Sequence, residues 1–409
     1  MTIHTPQPEK TDQFLEEAKV TMGSLRSALL DVVEETGDDL GFPQALSRRY
    51  SLDKTLTWKI SRIVRDEEIA SSVVHVPGRR RMTSLLAAMR QGGATEKAVD
   101  NVWRAFDDFE RLVQKHSRDR GTLDVMVAGT AQRGADRRLE NLRKSGYQCN
   151  SAVWGVRARV HFGVHVMAPS ILPKKLEALT MCGFLGLERL RAGLPWAVAN
   201  AIAWDSPNEG GISISPLAPG GLYKGSPMIS EFCSQPVPQL RTNVVDQKNK
   251  RFELPEGEIG QGNAVDLVLG WSWPPVMTMH AAHEGEIGEH GIHLSTPVEL
   301  VVQDLWIHRS LEFAMNPRIR VYSRLPSGPQ YPHEGPDVGI IPVPDSVIDL
   351  GYGAATSSMS EFPRFSELLQ YSMEQRGWNS SEFRGYRFRL KYPPIPTFAA
   401  FQHPLLPPE

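Results

Sequence analysis

The chain has 409 residues, 41% of them hydrophobic, and a formal charge of −2 from 45 Lys and Arg against 47 Asp and Glu. That length suits roughly two or three domains with sizeable cores, and the near-zero charge excludes a global attraction to nucleic acid or anionic lipid, so any such contact must rest on a local basic patch. Three distant cysteines, Cys149, Cys182 and Cys233, with no C-x-x-C pair, argue against a disulfide frame or cysteine zinc site and for a reducing compartment. The opening MTIHTPQPEKTDQF has neither a basic start nor an apolar run, and nowhere do about 18 consecutive apolar residues occur. The expectation is a cytoplasmic protein with no membrane partner.

In chain order, residues 1–10 read as a disordered lead. Thr11 then caps a long helix whose apolar face is Phe14, Leu15, Ala18, Met22, Leu25, Leu29, Val32 and Val33, and Gly37 stops it. Two short helical patterns follow within residues 42–64. The first opens with Pro43 and places Leu46 and Tyr50 at i, i+4. The second begins at Asp53, an N-cap, and aligns Leu56, Ile60 and Ile63 as one stripe, so that its other face carries Lys54, Thr55, Trp58, Lys59 and Arg62. After a loop with Arg79, Arg80 and Arg81 comes a short helix over residues 83–89. Thr95 opens a stronger one, in which Ala98, Val99, Val102, Trp103, Phe106, Phe109, Leu112 and Val113 recur at three- and four-residue steps, a stripe that suits a core or a dimer seam. Residues 123–127 and a polar helix over 135–144 complete this half, which holds only four of the 31 prolines.

The stretch Q-A-L-S-R-R-Y-S-L-D-K-T-L-T-W-K-I, residues 44–60, resembles the helix-turn-helix of bacterial transcription regulators. Ser51 stands where that family has its turn glycine, and Leu56 comes one position before its usual buried aliphatic. A left-handed backbone at a serine would be strained, so a looser turn is expected. The resemblance implies a DNA-binding regulator that meets paired half-sites as a homodimer. Base edges would be read by Lys54, Thr55, Lys59 and Arg62, with Trp58 on the same face, and phosphates would be met by Arg48, Arg49 and Arg79 to Arg81. The competing reading of the same residues is a helical hairpin with solvated charges.

Near residue 150 the pattern changes. Trp154, Val156, Ala158, Val160, Phe162, Val164 and Val166 are apolar at every second position, with Arg157, Arg159, His161 and His165 between them, which predicts a long strand with one wet face. Short apolar runs separated by the remaining prolines follow, at 196–202, 212–214, 264–269, 298–307 and 338–343, and predict a mainly antiparallel β domain. The leucines of 173–190 suggest a helical insert and 365–373 a second. The Pro-rich tail, 392–409, reads as extended over a neighbouring surface.

For chemistry, His280, His283, Glu284, Glu286, Glu289, His290 and His293 form two H-x-x-H pairs among carboxylates, a candidate divalent-metal set of His280, His283, His290 and His293 on a Gly-rich hairpin loop. Gly270-Trp-Ser272-Trp-Pro274 lacks the second glycine of a nucleophile elbow, and Gly351 and Gly353 lack the lysine of a phosphate loop. No catalytic residue and no other cofactor is implied. The whole predicts an α+β chain: a helical domain over 11–149 with the helix-turn-helix at 42–64, a Pro-rich β domain over 150–391 for sensing or assembly, and the tail. The preferred function is a DNA-binding regulator. Its rivals are a self-assembling structural protein and a metal-dependent enzyme using the histidine loop.

Overall fold

The computed structural model describes residues 8–65, 69–128, 135–202, 215–218, 220–244, 249–324, 339–341, 343 and 346–408. The protein is α+β, and it divides into two compact units, Met1–Leu139 and Glu140–Glu409. The division falls inside a helix and earlier than the change of pattern near 150, because Tyr147 on that helix is buried and its hydroxyl lies 3.5 Å from Glu299.

The first unit is helical: α1 Pro8–Glu35, α2 Pro43–Arg49, α3 Lys54–Arg65, α4 Arg79–Gln91, α5 Glu96–His116 and α6 Arg120–Ala128, with α7 Ala135–Trp154 carrying the division. Helix α1 starts at Pro8, so Thr11 is inside the helix rather than its cap, and residues 8–10 are helical where a disordered lead was expected. Its predicted apolar face is buried against α5, with Ala18, Met22 and Leu25 fully enclosed. Gly37 at φ +63° ends it as expected, a left-handed conformation that needs no side chain. The Thr95 hydroxyl accepts the Ala98 N–H, capping α5, while Glu35 at the end of α1 accepts the Thr95 N–H at 2.8 Å. Val99, Phe106 and Phe109 are at most 1% exposed, so the aromatic stripe of α5 is spent in the unit's own core and supplies no seam for a partner.

The second unit is built on a seven-stranded sheet in the order β11-β12-β9-β1-β2-β7-β4. Its strands are β1 Val156–Pro169, β2 Lys175–Arg189, β4 Ser215–Pro216, β7 Val265–Thr278, β9 Val298–His308, β11 Ile348–Tyr352 and β12 Phe383–Lys391. The β1–β9 pair is parallel and the other pairs are antiparallel. A three-stranded sheet, β10 Arg318–Ser323, β13 Thr397–Pro404 and β8 Ile287–Leu294, shares an apolar core with one face through Ile292, Ile319, Val321 and Phe401 against Val301 and Leu305. The helix α8 Phe365–Glu374 packs Phe365, Leu368 and Leu369 on the other face, around Phe162 and Trp306. A third sheet orders β3 Trp196–Ile202, β6 Asn249–Leu254 and β5 Arg241–Val244.

Three expectations are corrected here. The helical insert over 173–190 is the strand β2, paired to β1 on one side and β7 on the other. A strand buried on both faces shows no alternation to separate it from a helix, and Gly183 marks the strand, since a Cβ there would lie 1.9 Å from the Leu267 carbonyl oxygen. The strand β1 has no wet face: Arg159 is exposed, but Arg157 pairs with Glu188 at 2.6 Å, His161 is buried and His165 half-buried beneath β8. The tail does not lie over a neighbouring surface along its length, because residues 397–404 are the central strand of the small sheet. The runs at 212–214 and at 338 lie outside the described residues. No helix among the described residues is long and apolar enough to cross a membrane.

On the α8 face, Asp304 of β9 is fully buried and receives both arms of the Arg387 fork from β12 at 2.7 and 2.8 Å. Arg387 donates further to the carbonyls of Ser357 at 2.6 Å and Ser358 at 3.0 Å, tying the short 3₁₀ turn at Ala354–Ser357 to the sheet. Burying two ions is costly unless every donor and acceptor is matched, and removing one partner strands the other. Asp304→Ala is therefore expected to cost about 3–5 kcal/mol in urea denaturation, and replacing both residues by apolar ones of similar volume should cost much less.

Candidate functional site

The helix pair α2 and α3 forms as the spacing predicts, joined by the turn at 50–53. Ser51 holds φ +52°, so the turn is not the looser variant expected: the serine takes the left-handed backbone at the place where the resembled family has glycine. Hydrogen bonds from the flanking residues hold it there. Leu52 N–H donates to the Ser47 carbonyl at 3.0 Å and the Ser47 hydroxyl donates to the Leu52 carbonyl at 2.7 Å. Asp53 starts α3, its Oδ1 accepting the Leu56 N–H at 3.0 Å.

Leu56, Ile60 and Ile63 are buried to 2% or less, and the buried stripe is wider than the sequence suggested, since Thr57, Ser61 and Val64 are also inside. Thr57 fills the position that Leu56 left one residue early. Its hydroxyl is satisfied within its own helix by the Lys54 carbonyl at 3.2 Å. On the opposite face Lys54, Thr55, Trp58 and Arg62 are exposed and Lys59 is half-buried. Trp58 is 49% exposed, stands edge-on to His75 at 5.3 Å and lies 6.0 Å from the Arg62 guanidinium. Arg65 at the end of α3, which the sequence reading omitted, extends this basic face and donates to the Gly41 carbonyl at 3.3 Å.

The arginines assigned to phosphates differ among themselves. Arg49 pairs with Asp38 at 2.7 Å, and Asp38 also accepts the Tyr50 hydroxyl. Arg79, Arg80 and Arg81 occupy the first turn of α4 rather than a loop. Arg79 clamps α4 to α5 through Asp107 and Glu110 and lies over Phe106 at 5.3 Å, so it serves the fold. Arg48, Arg80 and Arg81 are exposed. Cations in a first turn oppose the helix dipole by about 0.3–1 kcal/mol each, so helix stability does not account for Arg80 and Arg81.

The four loop histidines do not converge. His280 bonds the Pro407 carbonyl at 2.9 Å and His283 is exposed, whereas His290 and His293 belong to β8, where a three-residue step puts them on opposite faces. His293 packs on Phe398, and among the described residues no group of three or more His, Cys, Asp and Glu is arranged to hold a metal ion. Ser272 lies within β7, without the strand-to-helix turn that an elbow requires. Gly351 and Gly353 have φ +80° and +90° and are turn residues. Burial pushes the Cys182 thiol up to about 12, away from nucleophilic chemistry.

What the tertiary structure assembles instead is a set of buried imidazoles between the sheets. The Trp273 indole donates to the Thr180 hydroxyl at 2.9 Å, Thr180 lies 3.3 Å from His165 Nδ1, and His165 Nε2 lies 3.1 Å from the Gly291 carbonyl. A carbonyl accepts only and an indole donates only, so His165 carries its proton on Nε2 and Thr180 donates to Nδ1. His403, distant in sequence, meets His290 at 3.3 Å between Nε2 atoms. Burial lowers His161 to about 3 and His165 to about 4, and drives His290 well down.

Each such imidazole is neutral when folded but protonates near pH 6.5 when unfolded. The unfolded chain therefore binds more protons below that pH, and stability falls as acid is added, by up to about 1.4 kcal/mol per pH unit for each buried histidine. Urea midpoints of the second unit should be constant above about pH 7 and fall steeply from pH 6.5 toward 4. The strain at Ser51 generates a separate test: Ser51→Gly should raise the stability of the first unit by about 0.5–1 kcal/mol in thermal melts, and Ser51→Val should lower it by more.

No family model matches the chain, and no curated protein resembles it in sequence.

Proposed function

We propose that the protein is a cytoplasmic DNA-binding transcriptional regulator whose first unit lays α3 in the major groove, the second unit serving as its sensing or assembly domain. The observation that carries the reading is the α2–α3 pair itself. It combines a left-handed residue in the turn, an aspartate at the start of α3, a continuous buried stripe, and an outer face of Lys54, Thr55, Lys59, Arg62 and Arg65 beside the half-exposed plane of Trp58. A helix so divided can give up one face to the fold and offer the other to base edges and phosphates. The overall charge of −2 makes such a local patch necessary. Phosphate contacts fall to Arg48, Arg80 and Arg81, since Arg49 and Arg79 are engaged by carboxylates. Binding to paired half-sites as a dimer belongs to the same reading, with its seam elsewhere than on α5.

Replacing Lys59 and Arg62 together by Ala tests it. Stability should change by about 1 kcal/mol or less, while DNA affinity falls and the slope of log K against log salt flattens by about one unit per phosphate contact removed. Leu56→Ala should do the reverse, costing roughly 2–5 kcal/mol as a core cavity and weakening binding only through unfolding. A double variant that binds mixed-sequence DNA like the parent, or a parent without salt-dependent binding, leaves α2 and α3 as a structural hairpin.

A further inference from the structure

A cavity of about 160 Å³ lies in the second unit between the seven-stranded sheet and β8, with β3 along one side. Its size matches one ring, since an apolar cavity of about 150 Å³ accepts benzene. One wall is flat: the His161 imidazole stacks on Phe184 with centroids 4.1 Å apart and planes 19° from parallel. Its mouth is marked by His293 and Ser295, which are exposed.

Two polar atoms in this lining are buried with no hydrogen-bond partner among the described residues, His161 Nδ1 and Trp271 Nε1. His161 is only 6% exposed and Trp271 5%. Neighbouring polar groups in the same wall are matched: Thr180 and His165 complete the chain from Trp273 to Gly291, and Trp196 Nε1 donates to Thr296 at 2.9 Å. The exceptions are therefore local to the cavity, and an unmatched buried donor is costly enough to call for an explanation.

Charge narrows the occupant. No Asp, Glu, Lys or Arg lines the cavity, and burial holds His161 and His165 neutral at physiological pH. A bound ion would lose its hydration with no counter-charge in return. The indole N–H can only donate, and a neutral imidazole nitrogen donates or accepts according to its tautomer. The complement is a planar molecule with an acceptor for Trp271 and a second polar atom for His161.

We propose that this cavity is a binding site for one uncharged, single-ring nitrogen heterocycle, stacked within reach of the His161 plane and hydrogen-bonded to His161 Nδ1 and Trp271 Nε1. The proposal deepens the sensing role given above and rests on that reading only in treating the ligand as an effector; contact with DNA plays no part in it.

The test uses the full chain without DNA, with imidazole as probe at about pH 8.5, where the free ring is neutral, and benzene as a ring of similar size lacking polar atoms. Imidazole should bind one per chain by calorimetry, raise the melting temperature and shift the ¹⁵N resonances of His161. His161→Phe keeps the stacked wall and removes the unmatched nitrogen, so its melting temperature without probe should equal or exceed the parent's while imidazole affinity falls at least about tenfold. Trp271→Phe should weaken binding similarly and decides the matter if His161→Phe does not fold. No imidazole binding, equal affinity in both variants, benzene bound as tightly as imidazole, or water alone in the cavity of a crystal soaked with probe would each overturn the proposal. Loss of DNA binding by the parent would leave this measurement unaffected.

Discussion

The constraint on which the second unit depends is that β1 and β9 are covered on both faces. Every polar side chain those strands carry inward must find a partner there, since no water remains to serve it. On the face under α8 the solution is ionic: the Arg387 fork meets the fully buried Asp304 and then two backbone carbonyls, so that one side chain joins β12, β9 and the turn before α8. On the face under the small sheet the solution is a neutral relay from Trp273 through Thr180 and His165 to Gly291, with the proton positions set by which atoms can only donate or only accept. The first solution resists acid as long as Asp304 stays ionised, whereas the second weakens when imidazoles are forced to protonate.

The same constraint gives His161 and Trp271 their meaning. In a wall where the neighbouring polar atoms are matched, two that are not stand beside a cavity wide enough for one ring. Packing alone would favour phenylalanine at both positions, since each ring already makes its apolar contacts: His161 on Phe184, and Trp271 with the core around Leu269. The retained nitrogens are the part that packing does not explain.

In the first unit a different balance operates. Helix α3 has only twelve residues, too few to be stable alone in water, and it is held by Leu56, Ile60 and Ile63 against the core while Asp53 secures its start. The left-handed Ser51 is maintained by the pair of hydrogen bonds between Ser47 and Leu52, strain in the turn being offset by contacts on either side. The basic residues of its outer face are not needed for that packing, which is what leaves them available for a partner.

The sequence by itself determined the elements whose period is unambiguous. The buried faces of α1, α3 and α5, the Asp53 and Thr95 caps, the Gly37 stop and the strand β1 follow from local spacing, because each element presents one face to a core and one to water, or alternates plainly. Tertiary structure decided what local spacing could not carry. The leucines of 175–189 suit a helix, and only pairing to strands on both sides makes β2; the residues after 392 look like a loose Pro-rich tail until β8 and β10 take 397–404 between them. Arg79 reads as a free basic residue until α5 brings Asp107 and Glu110 to it. The H-x-x-H pairs suggest convergence, but a strand's two-residue period separates His290 from His293 and turns His290 toward His403, more than a hundred residues away in sequence. The cavity is the extreme case, since its walls come from β1, β2, β3, β7 and β8. Burial on both faces and long-range pairing are properties of the assembled sheet, and no window of sequence contains them.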